Sequence, residues 1–131
     1  MNALEFRFAF FARDFDKSVS FYRDMLGMEY IKGWDREDDK GAVLSAGGTS
    51  FVEIFGEPQG KTYQDPSPVA INLAMRLEDV SAVDSFYEEL VAKRAENIRA
   101  PKDYAYGHHS FRIIDPDNIP IYVYCELDQS A

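Results

Sequence analysis

Cysteine, histidine, basic charge and long apolar runs are all scarce in this chain. One cysteine, Cys125, in 131 residues leaves no intrachain disulfide framework and fits a reducing compartment. Fourteen basic residues face 23 acidic ones, a formal charge of −9, which argues against the basic patch that nucleic acid or an anionic membrane requires. A cationic or neutral small ligand is accommodated more easily. No run approaches the roughly 18 to 20 apolar residues that span a bilayer. The opening MNALEFRFAF also lacks a basic region followed by an apolar stretch and a cleavage site. A cytoplasmic location is expected. The only two histidines, His108 and His109, are adjacent. On a strand they point to opposite faces, so they cannot hold one ion together from there.

What is present is apolar and aromatic, with 46% hydrophobic residues and 15% aromatics. That is enough for one domain, or for two half-size modules sharing a core. EFRFAFFA sets Phe6, Phe8 and Phe10 against Arg7, Ala9 and Phe11, the alternation of a strand. Phe15, Val19, Tyr22 and Leu26 then recur at helical spacing, with Asp14 or Asp16 able to cap and Gly27 able to terminate, so a helix is expected over 15–26. MEYIKGW, GAVLSAG and SFVEIFG follow as a meander of three strands. GEPQGKTYQDPSP carries three of the six prolines and reads as a linker.

The plan then starts again. VAINLAMRL alternates, a helical pattern begins near Asp79, and ENIRA, HHSFRII and IPIYVYC are strand candidates. The last two are parted by DPDN, where Asn118 can take positive φ. At an offset of 65, Asp14 matches Asp79 and Ser20-Phe21-Tyr22 matches Ser85-Phe86-Tyr87 (85 − 20 = 65). Two ordinary amphipathic helices sharing Phe-Tyr are one explanation. Two copies of a β-α-β-β-β unit explain more, because the surrounding context repeats with the tripeptide. The expected organisation is one domain, 1–131, made of a first module at 1–58, a linker at 59–68 and a second module at 69–128.

DFDKSVSFYRDMLGMEY and GHHSFRIIDPDNIPIYVY resemble the signature helix and closing hairpin of the vicinal oxygen chelate superfamily, the glyoxalase, bleomycin resistance and extradiol dioxygenase group. The likeness covers nearly the whole chain. It implies an α+β fold of two βαβββ modules, each sheet curled around a cleft with its helix on the outer face. The apolar rows (Phe6, Phe8, Phe10; Val52, Ile54; Ile71, Leu73, Met75; Ile121, Val123, Cys125) would then face the helices. Arg7, Ala9, Phe11, Phe51, Glu53, Phe55, Asn72, Ala74, Arg76, Tyr122 and Tyr124 would face the cleft.

The same resemblance places metal ligands at four cleft positions, which in this sequence are Arg7, Glu53, Asn72 and Tyr122. Only Glu53 is a good ligand, and Arg7 is a permanent cation. No metal and no cofactor are expected. An Arg7–Glu53 ion pair replaces them, either as a satisfied polar pair or as a receiver of a ligand's oxygen. His108 is the best general-base candidate besides Glu53, and Trp34, Tyr104 and Tyr106 are candidates to grip a flat ligand. The ligand-binding set is thus Arg7, Phe11, Trp34, Glu53, Asn72, Arg76, Tyr106, His108, Tyr122 and Tyr124.

Three functions remain open. The first is a metal-independent binder that sequesters an aromatic or cationic small molecule, as a homodimer, resembling bleomycin resistance proteins. The second is a lyase, isomerase or dioxygenase-like enzyme using Glu53 as base or metal ligand. The third is a partner protein using only its dimer surface.

Overall fold

The computed structural model describes residues 2, 4–37, 39–58 and 71–127. The chain divides into two compact units, Met1–Pro68 and Val69–Ala131. The expected linker at 59–68 lies outside the described residues.

In the first unit, β1 (Phe6–Phe11) leads into α1 (Phe15–Ser20), followed by β2 (Glu29–Asp35), β3 (Lys40–Gly47) and β4 (Ser50–Phe55). The sheet order is β1-β4-β3-β2, with β1 parallel to β4 and the other pairs antiparallel. A parallel pair cannot be closed by a tight hairpin, so the helix and two strands between β1 and β4 form the crossover. Asp14 is the cap: its Oδ1 accepts from Lys17 N at 3.1 Å.

The expected single helix over 15–26 is α-helical only to Ser20. Phe21–Met25 forms a wider π-helical turn, in which Leu26 N donates to Phe21 O. Side-chain spacing over so short a stretch fits either winding, so periodicity does not separate them. The turn seats Tyr22, fully buried, against Phe10 and edge-on to Phe21, with centroids 5.9 and 5.3 Å away. Gly27 ends the segment at φ 78°, where a Cβ is disfavoured.

In the second unit, β5 (Leu73–Arg76), α2 (Val80–Ala92), β6 (Ile98–Tyr104), β7 (His108–Ile114) and β8 (Pro120–Glu126) repeat the plan. The order is β5-β8-β7-β6, with β5 parallel to β8. Asp79 Oδ1 accepts from Ala82 N at 2.8 Å, 65 positions after the Asp14 cap (79 − 14 = 65). The core joins Val83 and Leu90 of α2 to Phe111, Ile113, Ile121, Val123 and Cys125, all buried. Phe86 and Tyr87, the second copies of Phe21 and Tyr22, lie 6.1 and 5.6 Å from the Phe111 ring.

Several expectations are corrected. Phe6 and Ile71 were assigned to helix-covered rows but are 76% and 39% exposed. Phe6 opens an edge strand, and Ile71 precedes β5, which begins only at Leu73. The strand expected at ENIRA instead starts at Ile98 and runs through Pro101 to Tyr104. Proline is tolerated there because β6 is an edge strand whose pairing with β7 shifts register between Arg99 and Lys102. The DPDN turn forms as expected, with Asn118 at φ 64°. The buried Asp115 organises it: its Oδ1 accepts from Asp117 N and Ile119 N, both at 2.8 Å. Among the described residues no helix is long and apolar enough to cross a membrane.

Candidate functional site

Each sheet has one face covered by its helix and one that is not, and the second carries the polar candidates. On the first sheet, Val52 and Ile54 are buried on the helix side. Strand alternation turns Phe51, Glu53 and Phe55 the other way. Arg7 Nη1 donates to Glu53 Oε1 at 2.8 Å, and its Nε donates to Glu5 Oε1 at 2.6 Å. The guanidinium carbon lies 5.8 Å from the centre of the Phe51 ring. Arg7 keeps about a third of its side chain exposed and Glu53 only 17%. The Glu53 hydrogen bond, followed by that to Glu5, raises the Arg7 pKa above its ordinary value.

Phe11 meets Phe55 at 5.1 Å between centroids. Trp34 lies directly over Gly41, where a Cβ would run into the indole. Among the described residues, Trp34 Nε1 is buried without a hydrogen-bond partner.

On the second sheet the helix-free face reads as three rows across β6, β7, β8 and β5. The first row is Arg99, Arg112, Tyr122, Ala74; the second is Lys102, Ser110, Tyr124, Arg76; the third is Tyr104, His108, Glu126. His108 stacks on Tyr124 at 4.2 Å and 17°. It also meets Tyr106 edge-on at 5.2 Å, and Tyr106 stacks on Tyr104 at 5.2 Å. Lys102 Nζ sits 4.8 Å over the Tyr104 ring, and Arg99 Nη2 donates to the Tyr104 hydroxyl at 3.3 Å. His108 Nε2 is 3.9 Å from Glu126 Oε1. Asn72 lies just before β5 and is exposed.

The predicted residues therefore gather in two groups, Arg7 with Glu53 on one sheet and Tyr106, His108 and Tyr124 on the other. Arg76 and Tyr122 share the second face. At the positions where metal ligands were sought, the donor set does not suit a divalent cation, because a guanidinium already occupies the Glu53 carboxylate. Among the described residues no three His, Cys, Asp or Glu side chains gather as a metal site would need.

His109 went unassigned in the sequence. Its Nδ1 lies 2.7 Å from Asp103 Oδ1 and its Nε2 2.7 Å from Asp84 Oδ1, an arrangement that favours the protonated ring, in which both nitrogens donate. The Asp84 bond is the chief cause of its raised pKa, with Asp103 adding to it against the opposing effect of desolvation. The available signal was parity: His109 alternates with Phe111, which puts it on the helix side within reach of acidic α2. Cys125, its register partner, is fully buried, and burial pushes its thiol pKa up. It is core, as its strand parity required.

A family model described as Glyoxalase/Bleomycin resistance protein/Dioxygenase superfamily matches residues 6–123. The chain belongs to this superfamily. A curated relative, the uncharacterized protein YwkD of Bacillus subtilis (strain 168), is 29% identical over 119 residues, covering 88% of this chain and 91% of that one. The solved structure of SMU.1112c is 25% identical with a TM-score of 0.74, covering 95% of this chain and 98% of its own. TnmS3, an antibiotic binding protein from Streptomyces sp. CB03234, shares the fold at 16% identity and a TM-score of 0.72, covering 96% and 97%. This glyoxalase/bleomycin resistance fold is therefore an α+β arrangement of two four-stranded sheets, each with its helix.

Proposed function

We propose that this superfamily member is a metal-independent binding protein that sequesters a small aromatic molecule, and that it works in the cytoplasm as a homodimer. The observation that carries the reading is the ladder formed by Tyr104, His108 and Tyr124 on a helix-free sheet face together with Tyr106 of the β6–β7 turn. Flat rings set edge-on or in offset stacks present further π-faces to a flat ligand. Tyr106, 65% exposed, is the ladder's open rung. The antibiotic-binding role of TnmS3 supports the reading by analogy of fold. Metal independence is supported by Arg7, whose Nη1 donates to Glu53 Oε1 where a metal would need that carboxylate free.

The alternative is an enzyme using Glu53 as base or metal ligand, favoured by that carboxylate's low exposure. Calorimetric titration of the chelator-treated protein with a panel of fused-ring aromatics separates the two. Binding without metal supports sequestration; binding or turnover that appears only after metal is restored supports the enzyme.

A further inference from the structure

The second sheet's helix-free face is cationic in a chain that is strongly acidic. Its three rows hold Arg76, Arg99, Lys102 and Arg112 against one carboxylate, Glu126, at one end, whereas the whole chain has 23 acidic residues to 14 basic. Asp103, the carboxylate of β6, is engaged by His109, which strand parity sets on the helix side. Arg99 and Arg112 are direct cross-strand partners, and like charges directly opposite one another are destabilising. Arg99 spends one N–H on the Tyr104 hydroxyl. Among the described residues, Arg112 Nε is buried with no hydrogen-bond partner at all. A buried, unmatched donor on a guanidinium is costly. On the same face the buried Ser110 lies two positions before Arg112 on β7, and Tyr122 is the partner of Arg112 on β8.

We infer that the ligand is an aromatic carboxylate, its ring stacked on the His108–Tyr124 end of the ladder and its carboxylate received by Arg112 and Arg99. This rests on the proposed aromatic-binding role and deepens it. A planar carboxylate matches the guanidinium fork and screens the paired cations. The acidic composition, which by itself favours a cationic ligand, does not describe this face.

The test compares 1-naphthoate, neutral 1-naphthamide and 1-naphthylmethylammonium by calorimetry on the full chain at low and moderate salt, for the wild type, Arg99→Gln and Arg112→Gln. The expected result is naphthoate binding about tenfold or more tighter than the amide, with the preference shrinking as salt rises. Each variant should weaken naphthoate binding far more than amide binding and so remove the preference, an outcome that general misfolding does not produce. Arg99 is exposed, so Arg99→Gln keeps its fold even where Arg112→Gln does not, and thermal melts check both. Equal affinity for the three probes, a preference for the ammonium, or a preference surviving Arg99→Gln overturns the inference while leaving aromatic binding standing. Failure of every probe to bind overturns both.

Discussion

Arg7 Nη1 stands 2.8 Å from Glu53 Oε1, across the parallel strands β1 and β4 of the first sheet. A divalent ion at Glu53 would have to displace a charge-assisted hydrogen bond and tolerate a fixed positive charge beside it. Protein incubated with zinc or nickel and then desalted is expected to carry far less than one equivalent per chain by elemental analysis, and EDTA should leave its thermal midpoint unchanged. One retained equivalent that is lost in Glu53→Gln would overturn the metal-independent reading.

His109 gives the fold a pH dependence with a definite sign. Its folded pKa lies above its ordinary value because Asp84, then Asp103, hold the imidazolium. Its contribution is therefore complete below the unfolded value of about 6.5 and is lost as pH rises through the folded one. The ring is only 12% exposed, so His109→Gln should cost on the order of 1 kcal/mol at pH 6 and less at alkaline pH. Denaturant melts at several pH values check this. Asp84→Asn should lower the imidazole titration point, followed by NMR, more than Asp103→Asn does. A loss that grows with pH would contradict the assignment.

Cys125 is enclosed on the helix side of β8 with no exposure, and burial disfavours its thiolate. A thiol reagent such as DTNB should leave it unmodified in native protein and label it fully in denaturant. Cys125→Ser should destabilise more than Cys125→Ala, because the hydroxyl needs a partner in an apolar core while alanine leaves only a small void.

Trp34 is the chain's single tryptophan, and its indole occupies the space a Cβ at Gly41 would need. Gly41→Ala should displace the ring, lowering the thermal midpoint and red-shifting the fluorescence. An unchanged emission maximum would show that the ring does not depend on the glycine.

Much of this architecture was legible in the sequence because the two modules write it twice. The repeated Asp-cap and Ser-Phe-Tyr fixed the offset, and alternation along β1, β4 and β8 assigned faces that the structure keeps at Val52, Ile54, Ile121, Val123 and Cys125. The π-helical turn was hidden because Tyr22 and Leu26 fit either winding. β6 was underestimated because Pro101 reads as a breaker unless the strand is known to lie at an edge. The Arg7–Glu53 pair followed from positions on facing strands. His109 did not, since its partners Asp84 and Asp103 become neighbours only when α2 packs on the sheet. Likewise the cationic face was invisible in the composition: Arg76, Arg99, Lys102 and Arg112 come together only through strand register.

The central claim is metal-free binding of an aromatic ligand on the ladder that ends at His108 and Tyr124. It is tested most directly by titrating 1-naphthoate into wild-type, His108→Leu and Tyr124→Leu protein, with EDTA throughout. Saturable binding by the wild type, weakened about tenfold or more in both variants while their thermal melts stay cooperative, is the predicted result. Binding that is abolished by EDTA, or that is indifferent to both substitutions, would contradict it.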